Sequence, residues 1–281
     1  MTTTSAPDVY CVMGHPVEHS RSPWIHARFA ELTGQRIDYT RRLVPLDGFA
    51  QALADFSAAG GAGCNVTVPF KHDAARLATH ASDRVRRAGA ANTLSFRADG
   101  TVHAENTDGL GLVADIVGNA GVALAGRDVL LVGAGGAAAG VLAPLLEQAP
   151  RRITVVNRTE ARAQALVQAH ANLAASRQVV LEALPIGQPG AGFDVVINAT
   201  ASSLAGGEVP VPATVLREGT LAYDMMYGPA AKGFMDWARA HGAVPRDGLG
   251  MLVEQAAEAF AVWRGVRPPA AQVLQELRAQ L

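Results

Sequence analysis

The stretch VLLVGAGGAAAGVLAPLLEQ, residues 129–148, decides how this chain folds. VLLV is a short β-rich apolar run, and the segment beyond the glycines is a small-residue helix pattern. Between them, Gly133, Ala134, Gly135, Gly136, Ala137 and Ala138 fit G-x-G-x-x-G/A. In that pattern the first glycine makes the tight turn and the second lets the backbone approach a pyrophosphate. A small third residue lets helix and strand pack closely. The helix start then offers unpaired N–H groups and the positive dipole end to phosphates. The run Val129–Leu146 is uncharged for 18 residues, the lower limit for a bilayer span. Its four glycines and Pro144 favour a buried strand–turn–helix instead.

Working outward, the next strand, ITVVNR, ends in Asn157, Arg158 and Thr159, with Arg162 following. A site for an unphosphorylated ribose usually carries Asp or Glu at this strand end. Guanidinium groups and neutral donors suit a 2′-phosphate, so the pattern predicts NADP. Further strands are expected at Asp194–Asn198 and Leu221–Tyr223, and a long helix at Leu249–Gly265.

Upstream, strand and helix patterns also alternate. Val9–Gly14, Gln35–Leu43 and Gly63–Val68 read as strands, with Ala91–Phe96 and Thr101–Glu105 as two more around a turn at Asp99-Gly100. A helix opens at Ser22-Pro23, where Ser22 reads as the N-cap, and another spans Gly48–Ala58. Alternating strands and helices over 281 residues predict an α/β protein of two domains.

Composition narrows the partners. Apolar residues make up 49% and charged residues 17%, the balance of a globular chain. Lys plus Arg number 24 against 25 Asp plus Glu, so no net field draws the chain to nucleic acid or anionic lipid. Cys11 and Cys64 form no CxxC or Cys/His cluster, which fits a reducing cytoplasm and no metal site. The first eight residues lack the pattern of a signal peptide.

Several polar residues sit where packing alone explains them poorly. Ser20 and Ser22 put two hydroxyls at a helix start, which is also a carboxylate site. In NVTVPFK, residues 65–71, strand alternation puts Asn65 and Thr67 on one face and Val66 and Val68 on the other. Lys71 falls in the first turn after Pro69, where the dipole disfavours a cation and lowers a lysine's pKa. An isolated lysine is by default a solvated one; Asn92 and Asp108 are the candidate partners that reverse this. Asp108 is alternatively a helix cap. Gln255 shares a face with the apolar stripe of its helix and needs hydrogen-bond partners there.

Together HSRSPWIH, NVTVPFK, AANTL, NTDG, VGAGGA, NRT, NAT, YDMMY and DGLGMLVEQA, in this order, resemble the shikimate dehydrogenase family along nearly the whole chain. The resemblance implies NADPH-dependent, reversible reduction of 3-dehydroshikimate to shikimate, a step of aromatic amino-acid biosynthesis. It implies that Ser20, Ser22 and Tyr227 hold the carboxylate, and that Thr67, Asn92, Asp108 and Gln255 hold ring hydroxyls. Lys71 would be the acid/base, paired with Asp108, and Asn65 its support. Gly133–Ala137 would hold the pyrophosphate, and Asn157, Arg158, Thr159 and Arg162 the 2′-phosphate. Asp83, Met225 and Gly248 resemble positions near the nicotinamide.

The family pattern also implies a substrate-binding domain of residues 1–109 with 246–281, on a mixed, mainly parallel sheet. A Rossmann domain would take residues 110–245, with hinges near Asp108 and Gly248, and the protein would be a monomer or homodimer. The loop after Asn198-Ala199-Thr200 departs from the pattern: it reads Ala201-Ser202-Ser203-Leu204, where relatives commonly have Ser or Pro and then Gly. Three rivals remain open: a quinate/shikimate dehydrogenase paralogue, a non-catalytic sensor of such ligands, and a related dehydrogenase for another small carbonyl compound.

Overall fold

A computed structural model describes residues 6–200 and 209–281. They divide into two compact units: the chain up to Thr107 with Val253–Gln280, and Asp108–Leu252.

The first unit is built on a six-stranded sheet. Its strands are β1 (Asp8–Gly14), β2 (Ile37–Leu43), β3 (Gly61–Val66), β4 (His80–Ala81), β5 (Thr93–Phe96) and β6 (Val102–Glu105), in the order β2-β1-β3-β5-β6-β4. β1 pairs in parallel with β2 and β3, and β4 with β6, while β5 runs antiparallel to β3 and β6. Helices α1 (Ser22–Thr33), α2 (Phe49–Ala58), α3 (Lys71–Leu77) and α4 (Asp83–Ala88) belong to it, as do α10 (Ala270–Arg278) and most of α9 (Leu249–Arg264). Phe49, Phe56, Phe70, Cys11, Cys64 and Leu94 fill one core, with Phe49 and Phe70 stacked at 4.9 Å.

Two local expectations are corrected here. Ser22 does not cap α1: Arg21 holds the cap position, and Ser22 is the first helical residue. Ser20 takes part of the capping role, its hydroxyl accepting the Ser22 N–H at 3.3 Å. The strand expected over Gly63–Val68 ends at Val66, before Thr67 and Val68, and Val68 is 65% exposed.

The second unit holds α5 (Asp108–Val113), a π-helical turn over Ala114–Asn119, β7 (Asp128–Val132), α6 (Gly136–Glu147), β8 (Arg152–Asn157), α7 (Glu160–Ser176), β9 (Val180–Pro185), β10 (Val195–Asn198), β11 (Leu221–Asp224), α8 (Lys232–Ala240) and β12 (Val244–Arg246). All six strands are parallel, in the order β12-β11-β10-β7-β8-β9. A parallel sheet covered on both faces needs continuous apolar strands rather than alternating ones. Val129–Leu131 and Val195–Ile197 meet that demand, every side chain fully buried. The run 129–146 thus splits into β7 and α6, and no helix among the described residues is long and apolar enough to cross a membrane.

The strand order reverses between β7 and β10. In doubly wound sheets, ligands bind outside the carboxyl ends of the strands at such a switch point.

Candidate active site

In the second unit, the sequence 133–138 sits where β7 hands over to α6. Gly133 has φ +118°, and a Cβ there would meet the Ala199 backbone at 3.1 Å. Gly135 is the cap residue of α6, and a Cβ there would project into open space. That opening at a helix N-terminus, beside the switch point, is the feature a pyrophosphate requires. At the end of β8, the Asn157 amide donates to the Thr159 carbonyl at 2.9 Å and shapes the turn. Arg158, Thr159 and Arg162 are exposed, and no ion pair engages either guanidinium among the described residues. The residues present therefore fit a 2′-phosphorylated dinucleotide, with two positive charges not already paired.

The neighbouring strand ends are tied together. The Asn198 amide donates to the Asp224 carboxylate at 3.3 Å, and Asp224 in turn accepts from the Met226 N–H at 2.9 Å. Gly248 donates to the Met226 carbonyl at 2.8 Å, and a Cβ on Gly248 would lie 2.3 Å from the Met225 carbonyl oxygen. Met225 and Gly248 thus come together, and only glycine fits that approach. Tyr227 follows at the cap of the 3₁₀ turn Gly228–Ala231. The departing loop Ala201–Leu204 lies outside the described residues.

Asp108 is 6% exposed and is the first residue of α5, not a cap before it. Next to it, Gly109 packs so closely on α6 that a Cβ would come within 2.6 Å of the Gly140 carbonyl. At the far end of this segment, Asp115 is fully buried. It accepts two hydrogen bonds from Arg246 (2.8 and 2.6 Å), one from the Tyr223 hydroxyl (2.7 Å) and one from Asn119 (3.0 Å). The segment carrying Asp108 is fastened at both ends within its unit. Neither Asp115 nor Arg246 stood out in the sequence, because a lone acid and a lone arginine 131 positions apart give no local pattern.

In the first unit a buried polar web joins five stretches of chain. Asn65 donates to the Asn92 carbonyl and the Thr93 hydroxyl, both at 3.1 Å, and accepts from the Tyr39 hydroxyl at 2.7 Å. The Asn92 Oδ1 accepts the Thr107 N–H at 2.9 Å. The Asn92 Nδ2 donates to the Thr107 hydroxyl at 2.9 Å and to the Gln255 Oε1 at 3.3 Å. Asn65, Asn92, Thr93 and Thr107 are all at most 6% exposed, so each amide orientation is fixed.

Thr67 sits against the end of β1: its N–H donates to the Met13 carbonyl at 2.9 Å, and a Cβ on Gly14 would collide with its methyl. Lys71 opens α3, and its carbonyl accepts the Ala91 N–H at 2.8 Å, which draws the start of α3 to the AANTL stretch. Ser20 is held by Arg41, which donates twice to its carbonyl.

The structure therefore brings Asn65, Asn92 and Gln255 into one web and anchors the backbones of Thr67 and Lys71 beside it. Asp83 stands apart: it opens α4 on the surface and pairs with Arg86. Tyr39, Thr93 and Thr107 were missed. Tyr39 is the single buried residue of β2, a signal that an isolated aromatic in a polar strand does carry.

Three family models match the chain. One describes a shikimate dehydrogenase substrate binding domain (residues 12–94), one shikimate / quinate 5-dehydrogenase (residues 114–205), and one a shikimate 5′-dehydrogenase C-terminal domain (residues 248–278). A shikimate dehydrogenase (NADP+) of Paracidovorax citrulli is 96% identical over 281 residues, all of both chains. Among solved structures, an Ael1 enzyme from Pseudomonas putida shares 45% identity with a TM-score of 0.87, over 96% of this chain and 98% of that one. A shikimate 5-dehydrogenase of Thermus thermophilus, solved with NADP(H) and shikimate, shares 31% identity with a TM-score of 0.85, over 98% and 100%.

Proposed function

The chain belongs to the shikimate dehydrogenase family, and from that premise we propose that it reduces 3-dehydroshikimate reversibly to shikimate with NADPH. The observation that carries this is the web of Asn92, Thr107 and Gln255, a set of fixed amide and hydroxyl groups suited to a polyhydroxylated ring. On this reading the unit built on the mixed sheet binds substrate and the doubly wound unit binds NADP.

When bound, NADPH supplies the hydride for the substrate's carbonyl carbon. Gly133–Ala137 hold the pyrophosphate through backbone N–H groups at the α6 start. Asn157, Arg158, Thr159 and Arg162 take the 2′-phosphate, and Met225 and Gly248 border the nicotinamide, with Asp83 nearby. Ser20, Ser22 and Tyr227 hold the carboxylate. Thr67, Asn92, Asp108 and Gln255 hold ring hydroxyls. Lys71 delivers the proton to the developing alkoxide oxygen, and Asp108 is the second catalytic residue. A non-catalytic sensor would have no use for Lys71 and Asp108, which supports the enzyme over that rival. The family also supports a cytoplasmic monomer or homodimer as the working form.

Lys71→Ala tests the assignment. General acid catalysis contributes about 10²–10⁴ in rate, so kcat should fall by that order while shikimate binding, followed by calorimetric titration, persists. An unchanged kcat would remove Lys71 from the chemistry.

A further inference from the structure

We propose that Tyr39, on β2, is a positioning residue for the hydroxyl-binding groups, acting through Asn65 on Asn92 and Gln255; this rests on the substrate reading above. Tyr39 is 8% exposed, and its hydroxyl donates to the Asn65 Oδ1 at 2.7 Å. That bond holds the oxygen end of the Asn65 amide, while the Asn92 carbonyl, which can only accept, fixes its nitrogen end toward β5. With Oδ1 occupied, Nδ2 must point to the Asn92 carbonyl and the Thr93 hydroxyl, both at 3.1 Å. Thr93 in turn donates to the Asn92 Oδ1 at 3.0 Å, beside the Thr107 N–H at 2.9 Å, and the Asn92 Nδ2 turns to Thr107 and Gln255. Tyr39 is thus one end of a hydrogen-bond chain that runs through Asn65 and Thr93 to Asn92 and Gln255.

Two features keep Tyr39 in that role. Its ring lies stacked on His26 at 4.3 Å with an interplanar angle of 6°, so its direction is locked by packing. Burial raises its pKa well above the ordinary phenol value, opposed only in part by the Ser22 hydroxyl beside it, so the hydroxyl stays a donor. Backbone groups fix the amide ends, the Asn92 carbonyl accepting from Asn65 and the Thr107 N–H donating to Asn92, and the phenol holds the Asn65 oxygen at the start of the chain.

Tyr39→Phe keeps the ring and its stack and removes the donor alone. Leaving a buried amide oxygen without its donor costs enough to change binding by about tenfold. The expected result is a rise of about tenfold in the shikimate KM, an unchanged NADP KM, and a kcat within about threefold of the parent. A role confined to stability would lower the melting temperature and leave the shikimate KM where it was, which would overturn the proposal. The cycle with Thr93→Val separates the routes further. Because Thr93 lies on the same path, the double variant should be no worse than Tyr39→Phe alone, whereas multiplied effects would also overturn it. Gln255→Ala serves as the control on the substrate reading. If it leaves the shikimate KM unchanged, that reading fails; if it raises KM and Tyr39→Phe does not, only the role of Tyr39 fails.

Discussion

His26 gives the first unit an acid limit that can be worked from its surroundings. The residue lies on α1, fully buried, with its ring against Tyr39, Trp263 (5.4 Å) and Phe260 (6.2 Å). Neither ring nitrogen meets hydrogen-bond geometry with a described residue. Burial therefore lowers its pKa from 6.5 to about 3, and the nearby Asn65 amide, which favours the charged form, offsets only a little of this. Between about pH 3 and 6.5 the unfolded chain carries a proton that the folded chain does not. Stability is thus full above 6.5 and falls as pH drops through that window. The whole gap corresponds to about 5 kcal/mol, and about 2 kcal/mol of it is lost by pH 5.

Urea unfolding at pH 7.5 and pH 5 measures this, followed by tryptophan fluorescence in a Trp237→Phe background. The remaining reporters, Trp24 and Trp263, both belong to the first unit. His26→Phe keeps an aromatic ring in the stack and removes the titration. It should reduce the stability difference between the two pH values by about 2 kcal/mol. If parent and variant lose the same amount on acidification, His26 is not buried neutral and the reasoning is wrong.

Two further outcomes follow from the second unit. Asp115→Asn leaves the Arg246 guanidinium facing a neutral amide in a buried setting, and breaking such a pair costs about 3–5 kcal/mol; the variant's urea midpoint should fall accordingly, and a midpoint within error of the parent would deny the fastening of the Asp108 segment. Replacing Arg158 and Arg162 together with Ser should raise the NADP KM by tenfold or more, at about 1.5–3 kcal/mol per charge-assisted bond, and leave the NAD KM little changed; equal effects on both cofactors would show that neither arginine reads the 2′-phosphate.

How far the sequence carries can be seen strand by strand. Val129–Val132 and Val195–Asn198 were legible because a strand buried on both faces is a continuous apolar run ending in a turn. β9 and β12 were not: as edge strands they are only half covered, with Val180 and Val244 each 55% exposed, and their residues show neither alternation nor a run. β4 is two residues long, too short for any period. Ser22 misled because Ser-Pro resembles a cap, whereas the chain enters α1 one residue earlier. For the site, Asn92 and Gln255 were visible as polar residues in apolar company. Thr107 was hidden inside the quoted NTDG motif, since its importance comes from facing Asn92 across 15 residues. Tyr39 and the Asp115–Arg246 pair depend on contacts between distant stretches, for which no local spacing stands in.

The most direct test of the whole account is the absorbance of the reduced nicotinamide band with purified protein, shikimate and NADP. Parallel runs replace shikimate by quinate and NADP by NAD. Rapid reduction with shikimate and NADP, and far slower turnover with either replacement, is the predicted result. Comparable rates with quinate or NAD would contradict the assigned specificity, and no turnover with any pair would contradict the assignment of Lys71 and Asp108 to catalysis.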